Sequence, residues 1–185
     1  MNFEDDTSPS LRGQLLLADP SLRNDTFCRT VLLITTHGTD VGAHGYVLNR
    51  PLGQSVGELL PGAEFGPLAE IPVFIGGPVE PEQLMFASFV WDKNQEIIRW
   101  ETHLDTDEAI ARLEAGRLVR GFAGYSGWSS GQLEGELKRR SWIACAAKCT
   151  VLRSQHVETL WRDILSELGP FYRLIAHSPE DPSLN

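Results

Sequence analysis

Residues 121–137 of the 185-residue chain read GFAGYSGWSSGQLEGEL. The apolar run from Leu118 to Tyr125 predicts a β-strand that enters this segment. Glycine then recurs every three or four residues, and glycine tolerates the tightest backbone turns. Ser129 and Gln132 have the spacing of a capping box, in which a serine caps a helix and the glutamine reaches back to it. The segment therefore predicts a strand, a tight aromatic loop between Tyr125 and Trp128, and then a capped helix.

The junction of this loop and helix is a candidate anion site, because free N–H groups at a helix start can hold an anion. However, the capping box already uses some of these donors, and no lysine stands ready to meet a phosphate. The segment matches neither G-x-x-x-x-G-K-[ST] nor G-x-G-x-x-G. Two interpretations stay open: a wall of a small-ligand or anion site, and a structural corner with Tyr125 and Trp128 in the core.

The same segment resembles the G-x-S-x-G elbow of serine hydrolases, with Ser126 as the nucleophile. Asp163 and His177 follow in the hydrolase chain order. However, Trp128 stands where the second glycine is required. The elbow also needs a parallel sheet with helical crossovers, which the rest of the chain does not predict. A serine hydrolase is therefore disfavoured.

Short β-branched and apolar runs predict most of the remaining structure. The predicted strands are residues 13–18, 30–35, 45–49, 72–75, 84–91, 96–100 and 141–146. The run at 30–35 is apolar throughout, so we expect it to be central and covered on both faces. The connections from it to 45–49, and from 84–91 to 96–100, are too short for a crossover helix, which makes these neighbours antiparallel.

Capping signals and 3.6-residue apolar periods predict the helices. Asp105 and Glu108 form a capping box for a helix that ends at Gly116. One or two serine-capped helical turns are expected at residues 55–60. An apolar stripe predicts a last helix over about residues 156–168, which the following Gly-Pro pair terminates.

Strands and helices are thus mixed without regular βαβ alternation, which indicates an α+β fold with a mostly antiparallel sheet. A chain of 185 residues suits one domain that buries roughly 70% of its unfolded surface. We expect residues 11–177 to form this domain, with a polar N-terminal tail at 1–10 and a loose C-terminal tail at 178–185.

The formal net charge of −9 repels phosphate backbones and anionic lipid, so direct nucleic-acid binding and membrane attachment are disfavoured. The only dense basic run is Lys138-Arg139-Arg140, at a predicted helix end where cations suit the helix dipole. No window approaches the ~18 consecutive apolar residues of a membrane span, and the N-terminus is acidic rather than signal-like. A cytosolic protein is expected.

The three cysteines are sparse and odd in number, which fits a reducing compartment. On an extended strand Cys145 and Cys149 would lie ~13 Å apart and could not share a metal without a turn between them. The five histidines show no ligand spacing. No metal and no cofactor are therefore expected, and no residue stands out as catalytic.

Candidate ligand-binding residues lie at the ends of predicted strands. Asn49 and Arg50 precede a rigid proline, and arginine suits bidentate binding of a carboxylate or phosphate. Gly76 and Gly77 permit a backbone reversal before another proline. Together with the aromatic segment, these stretches predict one pocket lined by Asn49, Arg50, Gly76, Gly77, Tyr125, Gly127, Trp128 and Gln132.

Four ordered blocks carry a family resemblance: GQLLLADP at 13–20, GYVLNRP at 45–51, GGPV at 76–79 and GYSGWSSGQLE at 124–134. In this order they resemble the AlgH/YqgE family of bacterial proteins, over nearly the whole of residues 11–168. The resemblance implies an α+β fold whose bifurcated sheet curls into a pseudo-barrel with flanking helices, and a cytosolic location. It implies no agreed catalytic residues, and Cys145 and Cys149 lie outside the blocks.

Some members of that family are described as transcriptional regulators, but this chain shows no helix-turn-helix and a poor charge for DNA. The leading hypothesis is a non-enzymatic binding or regulatory protein with a pocket for a small anionic ligand. One alternative is an enzyme that acts on a small anionic substrate. Another is an indirect transcriptional regulator that acts through a protein partner.

Overall fold

The computed structural model describes residues 9–22, 26–152 and 157–177. The strands are β1 (Gln14–Ala18), β2 (Val31–Gly38), β3 (Gly42–Val47), β4 (Pro51–Ser55), β5 (Pro72–Ile75), β6 (Val79–Asp92), β7 (Ile97–Leu104), β8 (Leu118–Trp128) and β9 (Trp142–Ala146). The helices are α1 (Val56–Leu59), α2 (Thr106–Glu114), α3 (Gln132–Lys138), α4 (Leu160–Glu167) and α5 (Pro170–Ala176), with 3-10 turns at Ala63–Leu68 and Cys149–Leu152. The predicted tails lie mainly outside the described residues, so the domain bounds stay a prediction.

The strands form one mixed sheet in the order β4-β5-β8-β3-β2-β1-β9, with β6 joined to β8 and β7 joined to β6. The β5–β8 pair is parallel, while the other pairs are antiparallel. This confirms the predicted α+β fold and mostly antiparallel sheet. The sheet branches at β8, but it is open, because β4 and β9 end the path without pairing to each other. The curl into a pseudo-barrel stays a prediction.

The predicted aromatic loop between Tyr125 and Trp128 is wrong: these residues continue β8. Ser126 pairs with Gly45 and Trp128 with Ala43, both on β3. The first half of β8 instead pairs with β5 and β6. The change of partner occurs at Gly124, whose φ of 68° lies in the left-handed region that glycine adopts without strain. The glycines therefore bend a strand between partners instead of closing a loop.

The start of α3 also differs from the prediction. The helix begins at Gln132, and its N-cap is Gly131 with a φ of 75°, not Ser129. The backbone N–H of Ser129 still donates to Oε1 of Gln132 at 3.1 Å. The glutamine half of the predicted capping box is therefore present, but it stabilises the turn before the helix.

The predicted last helix, over about residues 156–168, corresponds to α4, and a further helix, α5, follows it that the sequence did not predict. The part that the structure describes begins at Leu160, and residues 153–156 lie outside the described ranges. Gly169, with a φ of 140°, separates α4 from α5, and Pro170 occupies the first turn of α5. The sequence analysis predicts only that this Gly-Pro pair ends a helix. In the structure the pair also begins one, because proline is favoured at the first position of a helix.

The core has layers on both faces of the β1–β2–β3 region. Leu15, Leu17, Val31 and Leu33 face one layer, which α4 covers. Their neighbours Leu16, Leu32 and Ile34 face another layer that contains Trp128 and Trp142. The prediction that residues 30–35 form a central strand buried on both faces is confirmed. No helix in the described part of the chain has the length and apolar character that a bilayer crossing needs.

Candidate ligand-binding clefts

One cleft of about 420 Å³ lies beside the end of β3 and the start of β4. Its walls are largely apolar, and among the residues that the structure describes Arg50 is the only charged one in the lining. We name it the Arg50 cleft; its lining includes Phe27, Val47, Arg50, Ile75, Gly77 and Pro78. A volume of this size is within the range of small-molecule sites.

Asn49 and Arg50 tie the segment around residues 28–31 to this cleft. The side-chain carbonyl of buried Asn49 accepts from the N–H of Val31 at 2.8 Å, and its amide donates to the carbonyl of Arg29 at 2.9 Å. Exposed Arg50 donates to the carbonyl of Cys28. Asn49 thus stabilises the fold itself, while Arg50 lines the cleft.

Gly76 and Gly77 are required where three backbones meet. A Cβ on Gly76 would lie 2.2 Å from the carbonyl oxygen of Gly124, and one on Gly77 would lie 2.3 Å from the carbonyl carbon of Tyr125. No real Cβ atom approaches that closely. Gly77 also lines the Arg50 cleft, whereas Gly76 serves the packing.

A second cleft of about 400 Å³ adjoins the first. Phe27 and Pro78 line both clefts and form the ridge between them. We name the second one the tryptophan cleft; its lining includes Gly127, Trp128, Gln132, Glu136, Arg139 and Trp142.

Glu136 organises the tryptophan cleft. Its Oε2 accepts from the indole N–H of Trp128 at 2.8 Å and from that of Trp142 at 2.7 Å. Its Oε1 accepts from the amide of Gln132 at 3.0 Å. The two indole rings meet edge to face at 6.0 Å. One carboxylate thus joins α3 to the end of β8 and the start of β9.

A sequence profile of the AlgH-like family matches residues 15–173. The chain belongs to the AlgH-like family. A UPF0301 protein from Parabacteroides distasonis is 33% identical over 184 residues, which cover 95% of this chain and 91% of the relative. Another from Chlorobium luteolum is 36% identical over 183 residues, with 94% of each chain covered.

Two solved structures share the AlgH-like fold. The AlgH protein from Pseudomonas aeruginosa is 26% identical, with a TM-score of 0.66 over 97% of this chain and 98% of that one. Protein DIP2367 from Corynebacterium diphtheriae, at 21% identity, has a TM-score of 0.70 over 92% of this chain and 93% of that one. The second comparison shows the fold alone.

In this AlgH-like chain five of the eight predicted ligand residues line one of the two clefts. Arg50 and Gly77 line the Arg50 cleft, and Gly127, Trp128 and Gln132 line the tryptophan cleft. The other three line neither: Asn49, Gly76 and Tyr125. The Tyr125 ring packs edge-on against His44 at 5.4 Å. A binding role for the eight residues stays a prediction.

Glu136 and Trp142 were missed by the sequence reading of this site. The spacing of Gln132 and Glu136, four residues apart, was the available signal, because such residues are neighbours on a helix surface. The approach of Trp142 from β9 had no local signal.

The three side chains of the hydrolase reading bond to other groups in this AlgH-like structure. The hydroxyl of buried Ser126 donates to the carbonyl of Gly76 at 3.1 Å. The carboxylate of Asp163 accepts from Thr159, and Nδ1 of His177 contacts the carbonyl of Arg173. Among the described residues no hydrogen bond joins these three side chains to one another, so they do not form a relay.

Two observations on the described part of this AlgH-like chain concern metal binding and thiol chemistry. The described residues hold no group of three or more histidine, cysteine or acidic side chains that could bind an ion. Burial raises the pKa of Cys145 to about 11, and a thiol with so high a pKa is a poor nucleophile and ligand at neutral pH.

Proposed function

We propose that this AlgH-like protein is a non-enzymatic binding protein that holds a small organic anion with an apolar body in the Arg50 cleft. The observation that carries the proposal is that Arg50 lines a cleft whose other described walls are largely apolar. An aliphatic or aromatic carboxylate combines a charged group with an apolar body, as this cleft combines Arg50 with apolar walls. Its charged group meets Arg50, and its hydrocarbon part covers the walls.

The guanidinium of Arg50 has further hydrogen-bond donors for such a ligand. Arginine offers five N–H donors in a planar fork. One nitrogen of Arg50 donates to the Cys28 carbonyl, and no other hydrogen bond of this side chain occurs among the described residues. The contact with Cys28 holds the fork in place and reduces the side-chain entropy that ligand binding would otherwise remove.

The apolar half of the cleft leaves hydrophobic surface for the ligand to cover. Ile75, on β5, is 43% exposed although it is β-branched and apolar. Phe27, Val47 and Pro78 continue the same surface. Burial of apolar area stabilises a complex by about 25 cal/mol per Å² before the costs of association, so affinity should rise with the length of the ligand's chain.

An enzymatic role is less well supported. Within the described ranges Glu136 is the only carboxylate that lines either cleft, and three donors already bind it. A general base needs a free acceptor within reach of the substrate.

A cytosolic location also stays a prediction; three cysteines that form no disulfide support it.

The first prediction tests the Arg50 cleft with straight-chain carboxylates of four to ten carbons and the alcohols of equal length. We expect only the carboxylates to raise the melting temperature, because a ligand of the native state at 100 times its Kd adds about 2.7 kcal/mol. Isothermal titration calorimetry should show affinity lowered about tenfold or more in Arg50→Gln, the loss expected for a charge-assisted hydrogen bond.

Arg99→Gln is the matched control, since it removes an exposed guanidinium from β7, outside both clefts. It should leave carboxylate binding unchanged. Equal binding of alcohols and carboxylates, or equal binding by Arg50→Gln and the wild type, would refute the proposal.

A further inference from the structure

A larger groove of about 930 Å³ lies between the start of β9, the end of α3 and helix α5, and it shares Arg139 and Trp142 with the tryptophan cleft. We name it the Arg140 groove; its lining includes Asp19, Arg139, Arg140, Ile143, Phe171 and Tyr172. It is larger than either cleft and combines two cations with aromatic surface.

The cations of this groove are available to a partner. Arg139 and Arg140 are both exposed. Neither guanidinium has a salt bridge or hydrogen bond among the described residues. The one carboxylate in the lining, Asp19, is held by the backbone N–H and the hydroxyl of Ser21 at 2.9 and 2.7 Å. Two free guanidinium groups on a chain of net charge −9 form a local site for acidic groups.

The backbone of Arg140 is unusual for its residue type. It follows α3 with a φ of 60°, and the N–H groups of Arg140 and Ser141 donate to Leu137 and Glu136, both at 2.9 Å. This is the helix-ending turn that favours glycine or asparagine. An arginine there carries a strain of about 1 kcal/mol, and retained strain points to a use for the side chain.

Aromatic surface faces the same groove from α5. Phe171 is 68% exposed and meets Tyr172 edge to face at 5.5 Å. A large exposed aromatic side chain beside cations is typical of an interface anchor, since aromatic residues and arginine dominate binding energies. Half-buried Ile143 lies on the β9 side of the groove.

The strand that borders the groove has an unpaired edge. β9 pairs with β1 on one side, and its other edge has no strand partner within the described ranges. Such an edge offers backbone N–H and C=O groups to an added strand.

We infer that the Arg140 groove binds an extended, acidic peptide segment of a partner protein. Its carboxylates contact Arg139 and Arg140, its apolar side chains cover Phe171 and Ile143, and its backbone adds to the free edge of β9. This partner is a protein rather than a nucleic acid or a lipid surface, because the net charge opposes both of those polyanions beyond the groove.

The test uses the full chain and a fluorescein-labelled ten-residue peptide in which glutamate alternates with leucine and valine. Fluorescence anisotropy should show binding that weakens as salt rises. A second peptide with glutamine for glutamate, and a third N-methylated on the amides of one edge, should each bind about tenfold more weakly or worse.

Arg140→Gly separates binding from folding. Glycine relieves the left-handed strain, so we expect the melting temperature to be kept or raised while the affinity for the acidic peptide falls. Glu96→Gly is the matched control, because Glu96 also has a left-handed φ, of 54°, and lies outside the groove. Lys93→Ala controls for the loss of one exposed positive charge. Both controls should bind the peptide as the wild type does.

Unchanged peptide affinity in Arg140→Gly, or equal affinity for the glutamine peptide, would overturn the inference. So would equal binding of the N-methylated peptide, because the strand pairing would then be absent. Competition by oligothymidine or by phosphatidylglycerol vesicles as effective as the unlabelled peptide would assign the groove to a polyanion instead.

Discussion

Arg120 is the most unusual single residue of the core. Its side chain is fully buried, and no carboxylate of the part of the chain that the structure describes forms an ion pair with it. Its guanidinium donates to the carbonyls of Leu48 at 3.4 Å and Leu152 at 3.3 Å, stacks over Phe74 at 4.5 Å, and leaves Nε without a partner. Burial lowers the pKa of Arg120 to about 10, so it is still charged at neutral pH. A buried charge with two long hydrogen bonds contributes volume more than polar stabilisation.

A pair of substitutions at Arg120 tests that view. We expect Arg120→Met to keep the free energy of unfolding within about 1–2 kcal/mol of the wild type, because a hydrophobic residue of similar length removes the desolvation penalty. Arg120→Ala should lose roughly 3–5 kcal/mol through the cavity it leaves. Urea denaturation measures both. If methionine is as damaging as alanine, the guanidinium itself holds the two carbonyls.

At the scale of elements, Glu101 joins β7 to α2 and to the turn after it. Its carboxylate accepts from Nε of Arg112 at 2.6 Å and from Arg117 at 2.5 Å. The hydrogen bond from Arg112, with that from Arg117, lowers the pKa of Glu101 below its ordinary 4.5. The carboxylate is partly exposed, so solvent screens the pair and its contribution is modest.

The lowered pKa of Glu101 makes a prediction about pH. A carboxylate with a lower pKa in the folded state stabilises the fold above its unfolded pKa, and this contribution is lost as pH falls through the folded pKa. The wild type should therefore be more stable than Glu101→Gln at pH 7, and the difference should vanish as the pH falls from about 5 to below the folded pKa. Thermal melts of both proteins across that range measure it. A difference independent of pH would show that the charge is not involved.

The elements themselves were partly readable from local patterns. The capping box of α2 is present as predicted, with Glu108 N–H donating to Asp105 at 2.8 Å and the Glu108 carboxylate accepting from the Asp105 N–H at 3.0 Å. The β6–β7 hairpin is confirmed as well. Helix α5 was missed because Gly-Pro ends one helix and begins another with the same residues, and only packing distinguishes the two outcomes.

At the scale of the whole molecule, the sheet depends on one meeting point of β3, β5 and β8. The N–H of Gly76, at the end of β5, donates to Ala123 of β8 at 2.9 Å, and the carbonyl of Gly76 accepts from Val47 of β3 at 3.0 Å. β5 and β3 therefore meet end to end along one side of β8, where Gly124 bends the strand. This junction sets the position of both clefts, since Gly77, which lines the Arg50 cleft, and Pro78, which lines both, follow it directly.

Gly76→Ala tests the junction. The added methyl would lie 2.2 Å from the carbonyl oxygen of Gly124, and backbone on both sides cannot yield cheaply, so we expect a loss of about 3–5 kcal/mol in unfolding free energy. Gly66→Ala is the control, because nothing lies within 4 Å of its added methyl. It should stay within about 0.5 kcal/mol of the wild type. Equal stability of the two variants would contradict the close approach seen at the junction.

By itself, the sequence determined the α+β class, the central strand at residues 30–35, the hairpin, the capped α2 and the family. These features depend on the periodicity of apolar residues and on capping and turn residues, which act within a few positions of each other. Tertiary structure alone decided that Tyr125 to Trp128 continue a strand, that Glu136 joins two tryptophans, and that five of the eight predicted ligand residues are divided between two clefts. The physical reason is that such contacts join distant segments: the Ser126 hydroxyl bonds 50 residues away to Gly76, and the Trp161 indole bonds 143 residues away to Ala18. A local pattern shows which face of an element is buried, but packing alone selects the neighbour that buries it.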